Sequence, residues 1–231
     1  MLNRPRMVLQ TSTPGRKQIL KQMEGIDMLH FKRLANDVDI EPILAEMNAA
    51  AEMWLADTSR QRKVRCQRNT QNIFLRAAQK PLPPGARNAN DVHASKTTKT
   101  ARHFPRALQY CQSVADALEG QLGRATLVAL LPESKVYPHV DLGEYYRIRD
   151  RLHLVLKSSE GSPLTAEEET VVMQERELWV FNNKAKHWAE NSSSVARVHL
   201  IFDVLPPRGG GFYAFPPHEG KVCKDAAIAR D

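Results

Sequence analysis

The sequence predicts a mainly β fold with added helices: an antiparallel sandwich or barrel, with amphipathic helices ahead of it. Three observations carry this. Residues 151–157 alternate strictly, with Leu152, Leu154 and Leu156 on one side and Arg151, His153, Val155 and Lys157 on the other. Residues 195–204 repeat the pattern, Ala196, Val198, Leu200 and Phe202 opposing Arg197, His199, Ile201 and Asp203. Alternation with period two marks a strand whose two faces meet different surroundings. Between them, the apolar run 178–181 ends at the turn signal Asn182-Asn183. Short strands separated by turn residues point to sheet packed on sheet.

In chain order, residues 1–28 form a polar, basic arm that is expected to be flexible or partly helical. Residues 40–55 carry a helical stripe of Ile43, Leu44, Met47, Ala50, Ala51 and Trp54, with Pro42 in the tolerant first turn. Residues 72–77 suit an early strand. Residues 80–90, rich in proline, suit a loop, and the polar stretch 91–102 suits a mobile flap. Residues 105–119 predict a second helix, with Pro105 at its start and Gly120 just past its end. The run 127–131 and the turn Pro132-Glu133-Ser134 lead into a strand over 135–141, and 158–169 suits a hairpin-like excursion. After Pro206-Pro207 and Gly209-Gly210-Gly211 the chain is expected to loosen, with 220–231 a short helix or tail. No internal repeat is present. The expected division is an arm over 1–28 and one domain over 29–231. Within the domain, 29–124 forms a helical, substrate-side region, 125–206 the catalytic core and 207–231 a C-terminal tail.

Composition narrows the class. A chain of 231 residues, 26% charged and 42% hydrophobic, is sufficient for a substantial core. Three cysteines without regular spacing argue against a disulfide framework and fit a reducing compartment. No apolar stretch approaches membrane-spanning length and no signal-peptide core is evident, so a cytoplasmic protein without a membrane partner is expected. The net charge of +7 is concentrated at the N-terminal end and in 60–68 and 96–102. With 6% aromatic residues and no recognition motif, this charge reads as a solvated face, and nucleic acid is not expected as a partner.

The chemistry is concentrated in His139-Val140-Asp141, with His187 further on and Arg197 ten residues beyond it. His-x-Asp on or just past a strand places an imidazole and a carboxylate on one face. A second, distant histidine completes a facial triad, His139, Asp141 and His187, the ligand set of non-haem Fe(II) oxygenases. Three coordination positions then stay open, enough for a chelating 2-oxo acid and O₂. Arg197 on an inward face demands an anion, either an acidic co-substrate or an internal Asp or Glu. His153 and His199 share faces with the two arginines. His153 suits a group that orients ligands or co-substrate, and His199 suits a histidine satisfied by its neighbours.

With these residues placed, the chain resembles the aspartyl/asparaginyl β-hydroxylase family of 2-oxoglutarate-dependent oxygenases over residues 126–206. Four blocks in order carry the resemblance: Val136-Tyr137-Pro138-His139, Arg151-Leu152-His153-Leu154, His187, and Arg197 leading into Leu200-Ile201-Phe202-Asp203-Val204. It implies a double-stranded β-helix, a cupin-like jelly roll, with the N-terminal helices packed on its outer face. It implies Fe(II) on His139 and His187, and 2-oxoglutarate and O₂ as co-substrates. Arg197 would pair with the distal carboxylate of 2-oxoglutarate, and Arg151 and His153 would lie near its metal-bound end. There are two departures. Asp141 supplies a carboxylate that the animal enzymes naming the family lack. A family serine that helps hold the distal carboxylate aligns with Val128, leaving Thr126, two residues earlier on the same face, as the substitute.

The resulting expectation is a hydroxylase of an amino acid, free or within a peptide, of Asp, Asn or Pro type. Arg76, His93, Arg147 and Arg149 are candidate substrate-facing positions. Two alternatives stay open: a cupin-like zinc or nickel hydrolase or isomerase that does not use 2-oxoglutarate, and a basic nucleic-acid-binding module. The first has no need of an arginine at the spacing of Arg197; in the second the set His139, Asp141 and His187 would be incidental, and Asp141 near phosphate unhelpful.

Overall fold

A computed structural model describes residues 28–207. The arm, apart from its last residue, and the C-terminal tail beyond Pro207 lie outside the described residues. Eleven strands form two antiparallel sheets. In chain order they are β1 (Phe31–Ala35), β2 (Thr70–Ala78), β3 (Ser95–Thr97), β4 (Gln121–Leu130), β5 (Ser134–His139), β6 (Asp150–Lys157), β7 (Leu164–Ala166), β8 (Glu169–Val171), β9 (Leu178–Phe181), β10 (His187–Asn191) and β11 (Arg197–Leu205). The larger sheet runs β1-β9-β6-β11-β4-β2-β3 and the smaller β5-β10-β7-β8. The helices are α1 (Glu41–Ala49), α2 (Ser59–Lys63), α3 (Pro105–Ala117) and α4 (Glu144–Arg147).

The alternation read from the sequence separates two cores. Leu152, Leu154 and Leu156 of β6 and Val198, Leu200, Phe202 and Val204 of β11 join Ile43 and Met47 of α1 and Ala107, Tyr110, Cys111, Val114 and Ala115 of α3. This core lies between the larger sheet and the helices, and the Tyr110 ring meets Phe202 edge-on at 6.4 Å. The opposite faces turn inward, where Phe31, Leu130, Val155, Trp179 and Phe181 pack with Leu164, Ala166 and Ala189 of the smaller sheet. Inner and outer faces are therefore both covered, the arrangement of a jelly roll with helices on its outside.

The helices are fastened by specific polar contacts. The Glu46 carboxylate of α1 accepts from the backbone N–H groups of Arg106 and Ala107, satisfying two free donors of the first turn of α3. At the other end, Gly120 N–H bonds Ala115 C=O and Glu119 N–H bonds Asp116 C=O. The left-handed residue of this Schellman stop is Glu119, at φ 54°, rather than Gly120. The first predicted helix is shorter than expected. It leaves the α region at Ala50 and continues as a 3₁₀ turn over Ala51–Leu55.

Residues 91–102, expected to be a mobile flap, are built into the sheet. β3 extends its edge by pairing with β2. Arg76 donates to Gly123 C=O and Ser95 C=O, and Arg124 donates to Ala89 C=O and Val92 C=O. The physical reason is long-range: arginines from β2 and β4 satisfy carbonyls that look free in the local sequence. Besides β3, three strands carried no clear signal: β1, β8 and β10. The expected hairpin lies slightly later, with β7 and β8 turning at Glu167-Glu168.

Candidate metal centre

His139 ends β5 and His187 begins β10. The register of these antiparallel neighbours makes them direct partners, with ring centroids 4.3 Å apart. Nδ1 of His139 lies 2.8 Å from Tyr137 C=O, and Nδ1 of His187 lies 3.0 Å from Ala185 C=O. A carbonyl only accepts, so both Nδ1 atoms carry the hydrogen and both Nε2 atoms keep a lone pair for a metal. Burial first, and then the neighbouring His139, push His187 down to about 4, so its imidazole is neutral at pH 7.

Asp141 lies just beyond β5, its N–H on Asn183 C=O. One ligand atom from each of His139, Asp141 and His187 lies within 4.8 Å of the others. Burial alone would raise the Asp141 carboxyl. Arg151, His187, His139 and the Asn183 amide outweigh it and hold the group well below the usual carboxylate range. Two imidazole nitrogens and one carboxylate oxygen, with no further protein donor in the cluster, fit a metal that keeps open positions.

Arg151 sits beneath this carboxylate. Its Nη1 donates to Asp141, while Nε and Nη2 donate to the two oxygens of Asp203 at 2.9 and 3.2 Å. The guanidinium expected near the metal-bound end of the co-substrate is thus engaged by two protein carboxylates.

Further along the inner faces lie His153, His199 and Arg197, all buried. Phe181 links them to the candidate metal ligands, its ring 5.1 Å from His187 and 4.9 Å from His153. Nε2 of His153, Nε2 of His199 and Nη1 of Arg197 are buried without a hydrogen-bond partner. Burial lowers the Arg197 guanidinium to about 10, and none of the ion pairs among the described residues includes it. The internal Asp or Glu considered as its counter-ion is absent among the described residues. Buried donors without partners are costly unless a ligand completes them. An anion would complete the Arg197 guanidinium. Thr126 is buried and pairs with Ile201, four residues along β4 from Leu130, the partner of Arg197. That is about 13 Å at the usual strand rise. The register sets it at the level of His153, and the residue facing Val128 is His199.

The candidate substrate positions are occupied by structural contacts. Arg76 holds β3, Arg147 pairs with Glu144, and Arg149 bonds Tyr145 C=O and His93. A different arginine faces the centre. Arg60 of α2 stands over the Phe74 ring at 6.0 Å, within the electrostatic reach of Tyr146, Arg151 and Asp141. In the sequence it is one of a run of solvated cations, and only the tertiary fold turns it inward. Tyr137 and Leu142, both exposed, flank the candidate ligands His139 and Asp141.

The fold and the donor set define the class, a jelly-roll oxygenase that uses Fe(II) and 2-oxoglutarate. A family model described as aspartyl/asparaginyl beta-hydroxylase matches residues 38–207, and the chain belongs to that family. A search of curated protein sequences gives no match. Among solved structures, similarity extends to a prolyl hydroxylase from Trichoplax adhaerens in complex with a hypoxia inducible factor oxygen degradation domain peptide. That likeness has TM-score 0.52 and 8% identity, covering 84% of this chain and 90% of that one. A Pseudomonas putida prolyl-4-hydroxylase matches at TM-score 0.48 and 11% identity over 81% and 98%. A 2OG-Fe(II) oxygenase family oxidoreductase from Burkholderia pseudomallei matches at 0.44 and 9% over 59% and 66%.

Proposed function

We propose that the protein hydroxylates an amino acid or an amino-acid residue of a peptide, with His139, Asp141 and His187 holding Fe(II). When bound, iron with 2-oxoglutarate and O₂ supplies oxidative decarboxylation to succinate and CO₂, coupled to hydroxylation of a substrate C–H bond. The observation that carries the reading is Arg197, a buried guanidinium without an ion-pair partner among the described residues, on the inner face of the same sheet as His153 and His199. Its fork suits the distal carboxylate of 2-oxoglutarate. His153, whose buried Nε2 has no protein partner, serves the metal-proximal end. Arg151 holds Asp141 in place rather than binding co-substrate. A hydrolase or isomerase with the same three ligands leaves Arg197 unexplained.

On the substrate side, Arg60 favours a substrate bearing an anionic group near the reacting carbon. The exposed Tyr137 and Leu142 offer apolar contact on either side of the ligands, which favours a peptide over a free amino acid. The Trichoplax structure, with its bound peptide, belongs to a protein of the same fold. Cytoplasmic residence is part of the proposal: Cys66 and Cys111 are free thiols, and no helix among the described residues is long and apolar enough to cross a membrane.

The test is anaerobic titration with Fe(II) and 2-oxoglutarate, then mass-spectrometric screening of amino acids and peptides for a gain of one oxygen. Metal binding without any affinity for 2-oxoglutarate would sink the reading in favour of the hydrolase or isomerase.

A further inference from the structure

Resting on the co-substrate reading above, we infer that His199 is a positioning residue: its Nδ1–H fixes His153 in the tautomer that presents Nε2–H to 2-oxoglutarate. The two rings lie on the inner faces of the adjacent strands β6 and β11, their centroids 5.3 Å apart and their planes at 72°. Their Nδ1 atoms are 3.1 Å apart. Two ring nitrogens at that distance share a single hydrogen.

Burial pushes both imidazoles well below the ordinary histidine range, so each is neutral and carries one N–H. Two arrangements then exist. If His199 donates, its own Nε2 is a lone pair and His153 keeps Nε2–H. If His153 donates, its Nε2 is a lone pair and His199 keeps the outward N–H. Neither Nε2 has a protein partner, so neither is chosen by a protein hydrogen bond.

Two features select the first arrangement. Arg197 also acts on His153, but it stands four residues along β11 from that residue's register partner Ile201 and only two from His199, on which it is the one charge that acts. A cation favours a ring that offers it a lone pair, and with Nδ1 committed to His153 that lone pair is Nε2. The second feature is the ligand. A carboxylate next to His153 needs a donor, and a lone pair there would repel it. The pair therefore works as a lock. A freely rotating neutral histidine could present either nitrogen, whereas His199 removes that choice before the co-substrate arrives.

The tautomer can be read directly. In the Zn(II)-loaded protein with ¹⁵N-labelled histidine and no 2-oxoglutarate, His153 should be protonated at Nε2 and not at Nδ1, and His199 the reverse. The opposite assignment overturns the inference. Variants give a second readout. His199→Phe keeps a ring but removes the donor. By calorimetry on Mn(II)-loaded protein, it should weaken 2-oxoglutarate roughly ten- to hundredfold, the usual worth of a hydrogen bond to a charged group. Mn(II) affinity should not change. His199→Asn, whose amide can donate to His153, should recover most of the loss. Equal behaviour of the two variants, or wild-type affinity in His199→Phe, overturns the inference. Wild-type protein that binds Mn(II) but no 2-oxoglutarate overturns the functional reading itself. The opposite tautomer with normal 2-oxoglutarate binding overturns the present inference alone.

Discussion

Arg151 joins Asp141 to Asp203 across the floor of the metal centre, donating from Nη1 to the first and from Nε and Nη2 to the second. Both carboxylates are buried, and β6 and β11 place Arg151 and Asp203 as direct register partners. Arg151→Met should therefore leave two carboxylates close together without a cation. Removing one member of a buried pair costs about 3–5 kcal/mol. We expect a stability loss of that size in urea unfolding, and weaker Mn(II) binding because Asp141 is no longer aimed. Asp203→Asn keeps the shape and one acceptor and should cost less. Wild-type Mn(II) affinity in Arg151→Met would show that Asp141 is oriented without it.

The buried histidine pair sets a pH dependence. His153 and His199 are both held well below the ordinary histidine value, mainly by burial. In the unfolded chain each binds a proton as pH falls through about 6.5. In the folded chain neither does until far lower. The unfolded state thus carries more protons in this window, and stability must fall as pH falls. Each histidine contributes up to about 1.4 kcal/mol per pH unit below 6.5. Asp141 acts later, because its depressed carboxyl keeps its charge until well below the usual carboxylate range. Urea unfolding of the metal-free protein should weaken steadily from pH 6.5 to 5, and His199→Phe should flatten the slope. A flat wild-type profile would mean that these imidazoles are charged in the fold.

Arg197 poses a trade between stability and binding. Its guanidinium is buried and has no ion-pair partner among the described residues, a net cost to the protein without co-substrate. Arg197→Met should unfold at higher urea concentration than wild type when both are free of ligand. With Mn(II) and 2-oxoglutarate present the order should reverse, because only wild type gains from binding 2-oxoglutarate. That gain is about 2.7 kcal/mol at a hundredfold excess over Kd. Arg197→Lys should bind weakly, because an ammonium cannot form the two parallel bonds of the fork. Undiminished ligand stabilisation in Arg197→Met would place the carboxylate elsewhere.

Arg60 gives a test confined to the substrate. Arg60→Gln should leave 2-oxoglutarate affinity unchanged and raise KM for an acidic peptide at least tenfold, roughly the loss of one charge-assisted contact. KM for a neutral peptide should move little. An equal effect on both peptides would assign Arg60 to packing over Phe74.

What was legible in the sequence follows the range of the forces involved. The faces of β6 and β11 could be read because period-two alternation is local and both faces are buried. His139, Asp141 and His187 could be paired on paper because ligand chemistry restricts residue type, although β10 itself was invisible. Its His-Trp-Ala-Glu-Asn sequence does not alternate apolar with polar, and the strand exists because β5 and β7 flank it. The contacts of Arg60 and Arg151 were not legible for the same reason. An arginine's role depends on which anion it meets, and Asp203 lies 52 residues from Arg151. The segment before α3 looked free because its carbonyls are satisfied by Arg76 and Arg124 from distant strands.

That segment yields the last prediction. Arg124 is stacked on the Tyr145 ring at 3.7 Å and donates to Tyr146 and to the carbonyls of Ala89 and Val92. Tyr145 is clasped from the other side by Arg149, at 4.1 Å. The 3₁₀ turn Ala89–Asp91 therefore docks on α4, the helix that follows the ligand loop. Gly143, two residues after Asp141, adopts φ 113°, and a Cβ there would lie 2.7 Å from Asn90. Docking of the turn and placement of Asp141 thus share one contact. Arg124→Leu should free the carbonyls of Ala89 and Val92, expose Arg87 and the following residues to trypsin, and weaken Mn(II) binding in the same variant. Gly143→Ala should do both through the opposite side of the contact, by backbone strain and by the clash with Asn90. Wild type should resist cleavage there with or without ligands, the behaviour of a built-in edge rather than a closing flap. Rapid cleavage of ligand-free wild type that slows when Mn(II), 2-oxoglutarate and a substrate peptide are added would restore the flap.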